Sequence, residues 1–364
     1  MNAAGLPATL CFTSFTFAYL SRARVLAQTL RAAHPDWAIW ALLVDAPPPG
    51  LDAAAALADF DHVVPADTLE IPGFPGWMFR HDLVEGCTAV KGAMLCALLD
   101  AGQRTGGAER VVYLDPDIAV FHPLTDLLRR LDTASIVLTP HQLAPDTEPR
   151  AIIDNELTSL RYGTYNLGFL AVRNDPAGRR FAAWWRQRTH AACYDDVAAG
   201  LFTDQKYCDL VPAMFDGVHI ERDPGCNVAS WNLAQRRLRF TPSGGIAAGG
   251  SALKFYHFTK IGGVGDAMTD RYAGDNTEVF EIVNWYRRAV AANRIPAADA
   301  APWHYACFED GVPIPRAARL LWRARADLAA SFENPFRTGA DSFRAWLAAE
   351  HPGILPSPIE DPPA

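Results

Sequence analysis

Two carboxylates stand two residues apart at the end of an apolar run: Val111-Val112-Tyr113-Leu114-Asp115-Pro116-Asp117, after which the chain turns apolar again as Ile118-Ala119-Val120. Pro116 fixes its own φ at about −65° and pushes Asp115 towards extended backbone. With this spacing both carboxylates can turn to one side. Hard divalent cations take oxygen ligands, and Mg²⁺ or Mn²⁺ is commonly held by one or two carboxylates together with substrate phosphates. Asp-Pro-Asp is equally ordinary turn chemistry, so the pair alone leaves both readings open. His257, near the end of Lys254-Phe255-Tyr256-His257-Phe258, is either a structural histidine or, with the two aspartates, a third metal ligand. Lys91 stands near the N-terminus of an amphipathic helix, where the helix dipole favours anions. It is either a surface lysine or a contact for a phosphate or sugar. Thr203 and Asp204 read as a helix cap. Asp154, Asn155 and Glu156 lie on a polar loop that either is solvated or meets sugar hydroxyls.

The elements that must position these residues follow from periodicity. Ala8 to Thr13 reads as a first strand, Tyr19 to Ala33 as a helix and Trp37 to Val44 as a second buried strand; together they make a βαβ unit. A helix is expected from Thr88 to Ala101 on its apolar period. Val111 to Leu114 is expected to be buried on both faces, as in a parallel sheet. In open α/β sheets, ligands bind beyond the carboxyl ends of such strands, where Asp115 and Asp117 stand. A helix over Leu124 to Leu131, a strand over Ala134 to Thr139, a polar loop from His141 to Leu157 and a strand over Thr164 to Val172 follow. Gly168 permits close backbone approach in that last strand. Phe181, Trp184, Trp185 and Arg188 mark a helix whose tryptophans read as core. Asp204-Gln205 opens the next helix, and Gly244 to Gly250 reads as a loop. Beyond Asn276 come three helical stretches. One carries Arg316, Arg319, Arg323 and Arg325, suited either to packing through their stems or to an anionic membrane surface.

Composition bounds the function. The 364 residues are half hydrophobic and 20% charged, with a net charge of −8. A sizeable core is expected, and a general nucleic-acid binder, which needs a basic field, is not. Seven scattered cysteines without a C-x-x-C fit reduced thiols and a cytoplasmic setting. No run of about 18 apolar residues is present. Neither G-x-G-x-x-G nor a P-loop occurs, which disfavours dinucleotide dehydrogenases and P-loop kinases.

The ordered set of the βαβ start, Val-Val-Tyr-Leu-Asp-Pro-Asp-Ile, Tyr-Asn-Leu-Gly-Phe-Leu-Ala-Val, Asp204-Gln205 and the late Tyr-His-Phe resembles the nucleotide-sugar glycosyltransferases of the GT-A fold. The glycogenin and lipopolysaccharide-galactosyltransferase group, family 8, is the most similar. The resemblance covers about residues 8 to 260. It implies a Rossmann-like α/β fold with a mixed, mainly parallel central sheet flanked by helices, and metal-dependent sugar transfer from a nucleotide-diphosphate donor to a glycan, lipid or protein acceptor. It implies Asp115, Asp117 and His257 as ligands of Mn²⁺ or Mg²⁺. Asp204 and Gln205 become the catalytic pair, Asp204 on donor-sugar hydroxyls and Gln205 near the anomeric carbon. Thr13, Ser14, Tyr19, Lys91, Asp115, Asn166, Gly168 and Lys260 fall at donor-binding positions. Leu167 replaces the family's Ser between Asn and Gly. His257 is followed by Phe-Thr-Lys-Ile-Gly-Gly rather than Gly and then Lys-Pro-Trp, so Lys260 stands in a shifted register and the retaining stereochemistry carries over less directly than the metal site.

The domain expectation is a transferase domain over 1–270, a C-terminal helical extension over 271–350 that supplies any peripheral membrane contact, and a Pro-rich disordered tail over 351–364. Two rivals stay open. A sugar-phosphate nucleotidyltransferase would show a Gly-rich loop after the first strand, where Ser14 to Phe17 has no glycine. A non-catalytic carbohydrate-binding protein on a degenerate scaffold would have no reason to keep Asp115, Asp117 and His257.

Overall fold

The computed structural model describes residues 6–355. Most of the tail expected to be disordered, residues 356–364, therefore lies outside the described residues. The chain begins with β1 (Thr9–Phe15), α1 (Leu20–Ala33), β2 (Ala38–Leu43) and β3 (His62–Pro65). The short helix α2 (Phe74–Met78) leads to α3 (Leu83–Ala89) and α4 (Lys91–Thr105), and then to β4 (Arg110–Leu114) and β5 (Ile118–Val120). After β6 (Ile136–Pro140) a helical run, α5, occupies residues 149–162, ahead of β7 (Tyr165–Arg173) and α6 (Pro176–Ala192). Strands β8 (Asp195–Asp196), β9 (Leu201–Phe202) and β10 (Val218–Ile220) follow, then β11 (Leu238–Phe240), β12 (Ile246–Ala248), β13 (Ser251–Ala252) and β14 (Phe255–His257). The C-terminal part contains α7 (Val264–Ala273), α8 (Thr277–Ala292), α9 (Arg316–Ala324), α10 (Ala326–Ser331) and α11 (Phe343–Glu350).

The central sheet has seven strands in the order β10-β6-β7-β4-β1-β2-β3. All neighbours run parallel except β7, which is antiparallel to both β4 and β6. This is the mixed, mainly parallel α/β architecture expected from the sequence. Val111 to Leu114 are buried on both faces, as their continuous apolar run requires. One neighbour of β4 differs from the parallel expectation, because β7 returns from α5 rather than through a crossover helix.

Four local expectations are corrected. The helix expected over Thr88 to Ala101 is two helices that meet at Val90. Asp82 and Glu85 start the first one with a reciprocal capping box. The loop expected over His141 to Leu157 contains most of α5, which starts with Pro149 at its first position and is wound as a π-helix over Ile152–Glu156. Asp204-Gln205 does lead into a helix, a 3₁₀ turn over Lys206–Leu210 with Gln205 at its N-cap position, but no side chain caps it. β8 and β9 form a two-stranded ribbon, and Thr203 after it takes a left-handed φ of 46°. Gly244 lies in the turn of a small three-stranded sheet, β11-β12-β13, rather than in a free loop.

Trp303, Phe308, Trp322, Phe343 and Leu347 belong to the same buried cluster as Trp40, Leu42, Trp77, Met78 and Phe79, so the C-terminal helices are built onto the sheet's own core. The arginines of α9 account for the docking. Arg319 is buried and donates to the carbonyls of Phe79 at 3.1 Å and Tyr305 at 2.5 Å. Arg323 pairs with the fully buried Glu85, and Arg316 pairs with Asp82 at 2.8 Å. Arg325 pairs with Asp327 at 2.6 Å. The charge of this helix is engaged within the protein, as the packing reading expects. No helix among the described residues is long and apolar enough to cross a membrane.

Candidate metal centre and cleft

A second, small pairing builds the centre. β5 resumes the chain just after Asp117, and β14 pairs with it antiparallel, placing His257 opposite Ile118. The Phe258 N–H donates to the Asp117 carbonyl at 2.8 Å, and the Asp115 N–H donates to the Gly168 carbonyl at 2.8 Å. Three segments far apart in sequence are thereby locked by backbone bonds around Asp115-Pro116-Asp117. Each of Asp115, Asp117 and His257 offers one ligand atom, and these atoms lie within 4.8 Å of one another. His257 Nε2 is 3.0 Å from Asp117 Oδ1 and 3.6 Å from Asp115 Oδ2.

The surroundings fit a cation. His257 Nδ1 lies 3.1 Å from Asn166 Oδ1. A Nδ1–H donated to that oxygen leaves the Nε2 lone pair facing the carboxylates, the arrangement in which a second partner fixes the ligating tautomer. Trp231 stands edge-on to the imidazole at 5.5 Å between centroids. Gly168 clears the ring's other side, since a Cβ there would sit 2.5 Å from His257 Cε1. Burial alone would lower the His257 pKa, but the adjoining Asp117 carboxylate raises it above the ordinary histidine value. Burial would raise Asp117, and His257 outweighs it, holding that carboxyl below its usual range.

Lys91 connects this centre to a second one. Its side chain is buried, with Nζ 3.2 Å from Asp115 Oδ1 and 3.1 Å from Asp204 Oδ2. The ammonium lies over the Tyr113 ring at 4.1 Å, and the Tyr113 hydroxyl donates to Asp115 Oδ1 at 2.5 Å. Burial opposes the charge on Lys91, yet the two carboxylates keep its pKa above the ordinary lysine value. Asp204 is itself buried, and burial raises its carboxyl despite the lysine. The Thr203 hydroxyl donates to its Oδ1 at 3.2 Å. A β-branched residue in left-handed backbone is strained, and such strain collects at functional positions.

Asp115, Asp117, His257, Lys91, Thr203 and Asp204 line a cleft of about 710 Å³ with Asn166, Gln205, Lys260, Asn155, Tyr162, Trp231 and Met268. It opens at the carboxyl ends of β4 and β6, where the topology predicts a ligand. The expected site residues thus converge for the most part. Gln205 is present with its amide engaged, accepting from Leu167 N at 3.1 Å and donating to the Tyr162 carbonyl at 3.1 Å. Gly168 supports His257 from the strand behind. Thr13 and Ser14 lie elsewhere: both are buried, Ser14 donates to the Cys87 carbonyl at 2.7 Å, and neither lines the cleft. Tyr19 is half-buried and carries Arg22 on its ring at 4.6 Å; its phenol pKa is raised by burial and then by Asp117. Tyr113 and Trp231 were not assigned roles from sequence. Tyr113 stands at i−2 from Asp115, which strand alternation places on the same side.

No family model matches the chain. Two uncharacterized proteins of Bacillus subtilis (strain 168) are similar to it. YfnF is 28% identical over 178 residues, 49% of this chain and 57% of that protein. YfnD is 27% identical over 177 residues, 48% and 53% respectively. The chain therefore spans about half the length of the curated relatives it matches. Among solved structures, it is similar to the galactosyltransferase LgtC in complex with donor and acceptor sugar analogs. That likeness has 15% identity and a TM-score of 0.41, covering 79% of this chain and 97% of that one. The glycosyltransferase GlyE of Streptococcus pneumoniae TIGR4 gives 13% identity and a TM-score of 0.39, over 78% and 64%. Mouse xyloside xylosyltransferase 1 gives 12% and 0.39, over 70% and 98%.

Proposed function

We propose that this chain is a metal-dependent glycosyltransferase of the GT-A type, moving a sugar from a nucleoside-diphosphate donor to an acceptor hydroxyl in the assembly of a bacterial glycan or glycolipid. The observation that carries the reading is the junction of an Asp115–Asp117–His257 cluster with a buried Lys91–Asp204 pair in one cleft. Asp115, Asp117 and His257 would hold Mn²⁺ or Mg²⁺, which when bound supplies positive charge to a diphosphate leaving group. Lys260 lines the cleft on exposed, left-handed backbone and offers a further cation for phosphate. Asp204, fixed by Lys91 and Thr203, presents a carboxylate to donor-sugar hydroxyls. Gln205, tied to β7 and α5, sets the spacing between that carboxylate and Asn166.

Retention at the anomeric carbon belongs to the same reading. An inverting reaction needs a carboxylate free to act as general base. Asp82, Asp115, Asp154 and Asp204 line the cleft and each faces a Lys or Arg, while Asp117 is committed to the His257 side and would be a metal ligand. Besides Asp117, Asp195 is the one cleft-lining carboxylate without a Lys or Arg ion pair among the described residues. A product of inverted configuration, made by the native chain and abolished in Asp195→Asn, would overturn retention.

The direct test is Asp117→Ala, assayed by Mn²⁺-linked binding of nucleoside diphosphate in a calorimeter and by metal-dependent donor hydrolysis. Loss of such electrostatic stabilisation costs about 10²-fold or more in rate. Turnover retained within about threefold would remove the metal assignment. Sugar binding without metal-linked nucleotide affinity would mark a lectin instead.

A further inference from the structure

The helix α5 buries the polar Asn155 and leaves three of its large apolar side chains exposed. Asn155 points inward, 2% exposed, while Ile153, Leu157 and Leu160 are 57%, 47% and 68% exposed. Their i, i+4, i+7 spacing makes one stripe. A helix that merely packs on a domain turns such a stripe to the core. Val63, Phe240 and Leu320 are exposed elsewhere on the surface, but the remaining exposed large apolar residues gather near α5 and the cleft. Val84 and Val264 line the mouth of the cleft, and Leu83 adjoins Val84. Leu210 and Met214 lie on the segment that Lys206, bound to the Leu160 carbonyl at 2.7 Å, ties to α5.

The same helix also faces the cleft. Asp154, Asn155, Thr158, Ser159 and Tyr162 line it. Asp154 is held by Arg150, Arg271 and Tyr272, which fastens α5 to α7. Asn155 Nδ2 donates to Asp146 Oδ2 at 3.1 Å, but its buried Oδ1 has no partner. An unpaired buried carbonyl is costly unless a ligand supplies a donor. Exposed Arg161, without an ion pair among the described residues, flanks the apolar stripe, and Arg150 at the other end is paired with Asp154; the free guanidinium suits an anionic headgroup layer.

We infer that the acceptor is lipid-linked and that α5 is its docking surface. The acceptor's hydroxyl-bearing end meets Asn155 Oδ1, Thr158 and Ser159 in the cleft. Its hydrocarbon end, and the anionic bilayer around it, cover Ile153, Leu157, Leu160 and Val264. This rests on the transferase reading above and moves membrane contact from the C-terminal arginine helix to the mouth of the cleft.

The test is cosedimentation of the full chain with phosphatidylcholine vesicles, with and without phosphatidylglycerol, and Mn²⁺-linked nucleoside-diphosphate binding measured on the same samples. The native chain is expected to bind, more tightly where phosphatidylglycerol is present. Leu157→Glu with Leu160→Glu is expected to weaken binding about tenfold or more. Arg161→Glu is expected to weaken it about fivefold on anionic vesicles only. Leu160→Trp, which keeps the stripe apolar, is expected to bind at least as well as the native chain. Absence of vesicle binding by the native chain, or equal binding by the double-glutamate variant, overturns the inference. So does a native dimer that the double-glutamate variant dissolves, since a second copy would then cover the stripe. Vesicle binding with no metal-linked nucleotide affinity counts against the transferase reading instead, so the two failures are distinguishable.

Discussion

Lys91→Met is the substitution whose cost the geometry sets most directly. The lysine ammonium lies 3.1 Å from Asp204 and 3.2 Å from Asp115. At an effective dielectric of about 20, each contact is worth about 5 kcal/mol of gross attraction. Desolvating the ammonium and the Asp204 carboxylate consumes several kcal/mol apiece, so the net contribution of the assembled pair is small. Removing one partner is different, because Asp204 stays buried without its cation, and such deletions cost about 3–5 kcal/mol. Methionine fills most of the lysine's volume, so little of that loss is a cavity. The pH dependence has a definite sign. With Lys91 gone, the Asp204 pKa, already raised by burial, rises further above its unfolded value. Its ionisation then penalises the folded state as pH rises past the ordinary carboxyl range, and the penalty vanishes on protonation. The variant's deficit therefore shrinks as pH falls from about 7 towards 5. Urea unfolding at both pH values measures this. Adding Asp204→Asn is expected to restore about 2 kcal/mol, as neighbours that couple do. A deficit below about 1 kcal/mol at neutral pH, or strict additivity of the two changes, refutes the reasoning.

Other sites give sharper yes-or-no outcomes. Gly168→Ala places a Cβ 2.5 Å from His257 Cε1 and 2.8 Å from Asn166 Oδ1; Mn²⁺ affinity by titration calorimetry is expected to fall about 10-fold or more, and unchanged affinity would show that the imidazole position is not critical. His81 is fully buried, and burial with the Arg323 guanidinium pulls its pKa down to about 3. Its neutral form contributes stability that is present above the unfolded value and lost as pH falls through that window, about 2 kcal/mol by pH 5. His81→Phe should flatten that part of the urea midpoint against pH, and a parallel curve would exclude His81 as its source. Arg323→Met strands Glu85, which is fully buried, and is expected to cost about 3–5 kcal/mol in chemical denaturation; a loss under about 1 kcal/mol would mean that Glu85 relaxes to solvent or takes a proton.

Much of the site was legible because its carriers are strands with buried, continuous apolar runs. β1, β4, β7 and β14 could be placed from the sequence, and Asp115, Asp117, Asn166 and His257 sit on them or at their ends. What escaped is what tertiary contact decides. The antiparallel pairing of β14 with β5, which brings His257 to Asp117, leaves no local trace. Lys91 could be read from sequence either as a surface lysine or as a phosphate or sugar contact; its burial between Asp115 and Asp204, the latter arriving from beyond α6, is a tertiary fact. Thr203-Asp204 reads as a helix cap; the helix does begin at Lys206, but left-handed backbone at Thr203 after the β8–β9 ribbon turns its hydroxyl to Asp204 instead of to the helix N-terminus. α5 was hidden because its large apolar side chains Ile153, Leu157 and Leu160 are exposed while the polar Asn155 is buried, so no core-facing apolar stripe marks it.

The two oxygens of Asp115 show why the metal cluster and the Lys91–Asp204 pair form one site. Oδ1 accepts from the Tyr113 hydroxyl at 2.5 Å and from Lys91 at 3.2 Å. Oδ2 faces His257 Nε2 at 3.6 Å. One oxygen is committed to the buried network that leads to Asp204, and the other is left for the Asp117–His257 side. Asp117 has no such second duty, since its Oδ1 lies 3.0 Å from the same imidazole nitrogen. Both aspartates therefore face the cluster, Asp115 through a single oxygen. Asp204, proposed to orient the donor sugar, and Asp115, proposed to meet the cation, are held at fixed separation by one buried ammonium. A side chain unable to hold both, or a solvated lysine, would let the two halves of the site move independently and forfeit the pre-organisation on which electrostatic stabilisation depends.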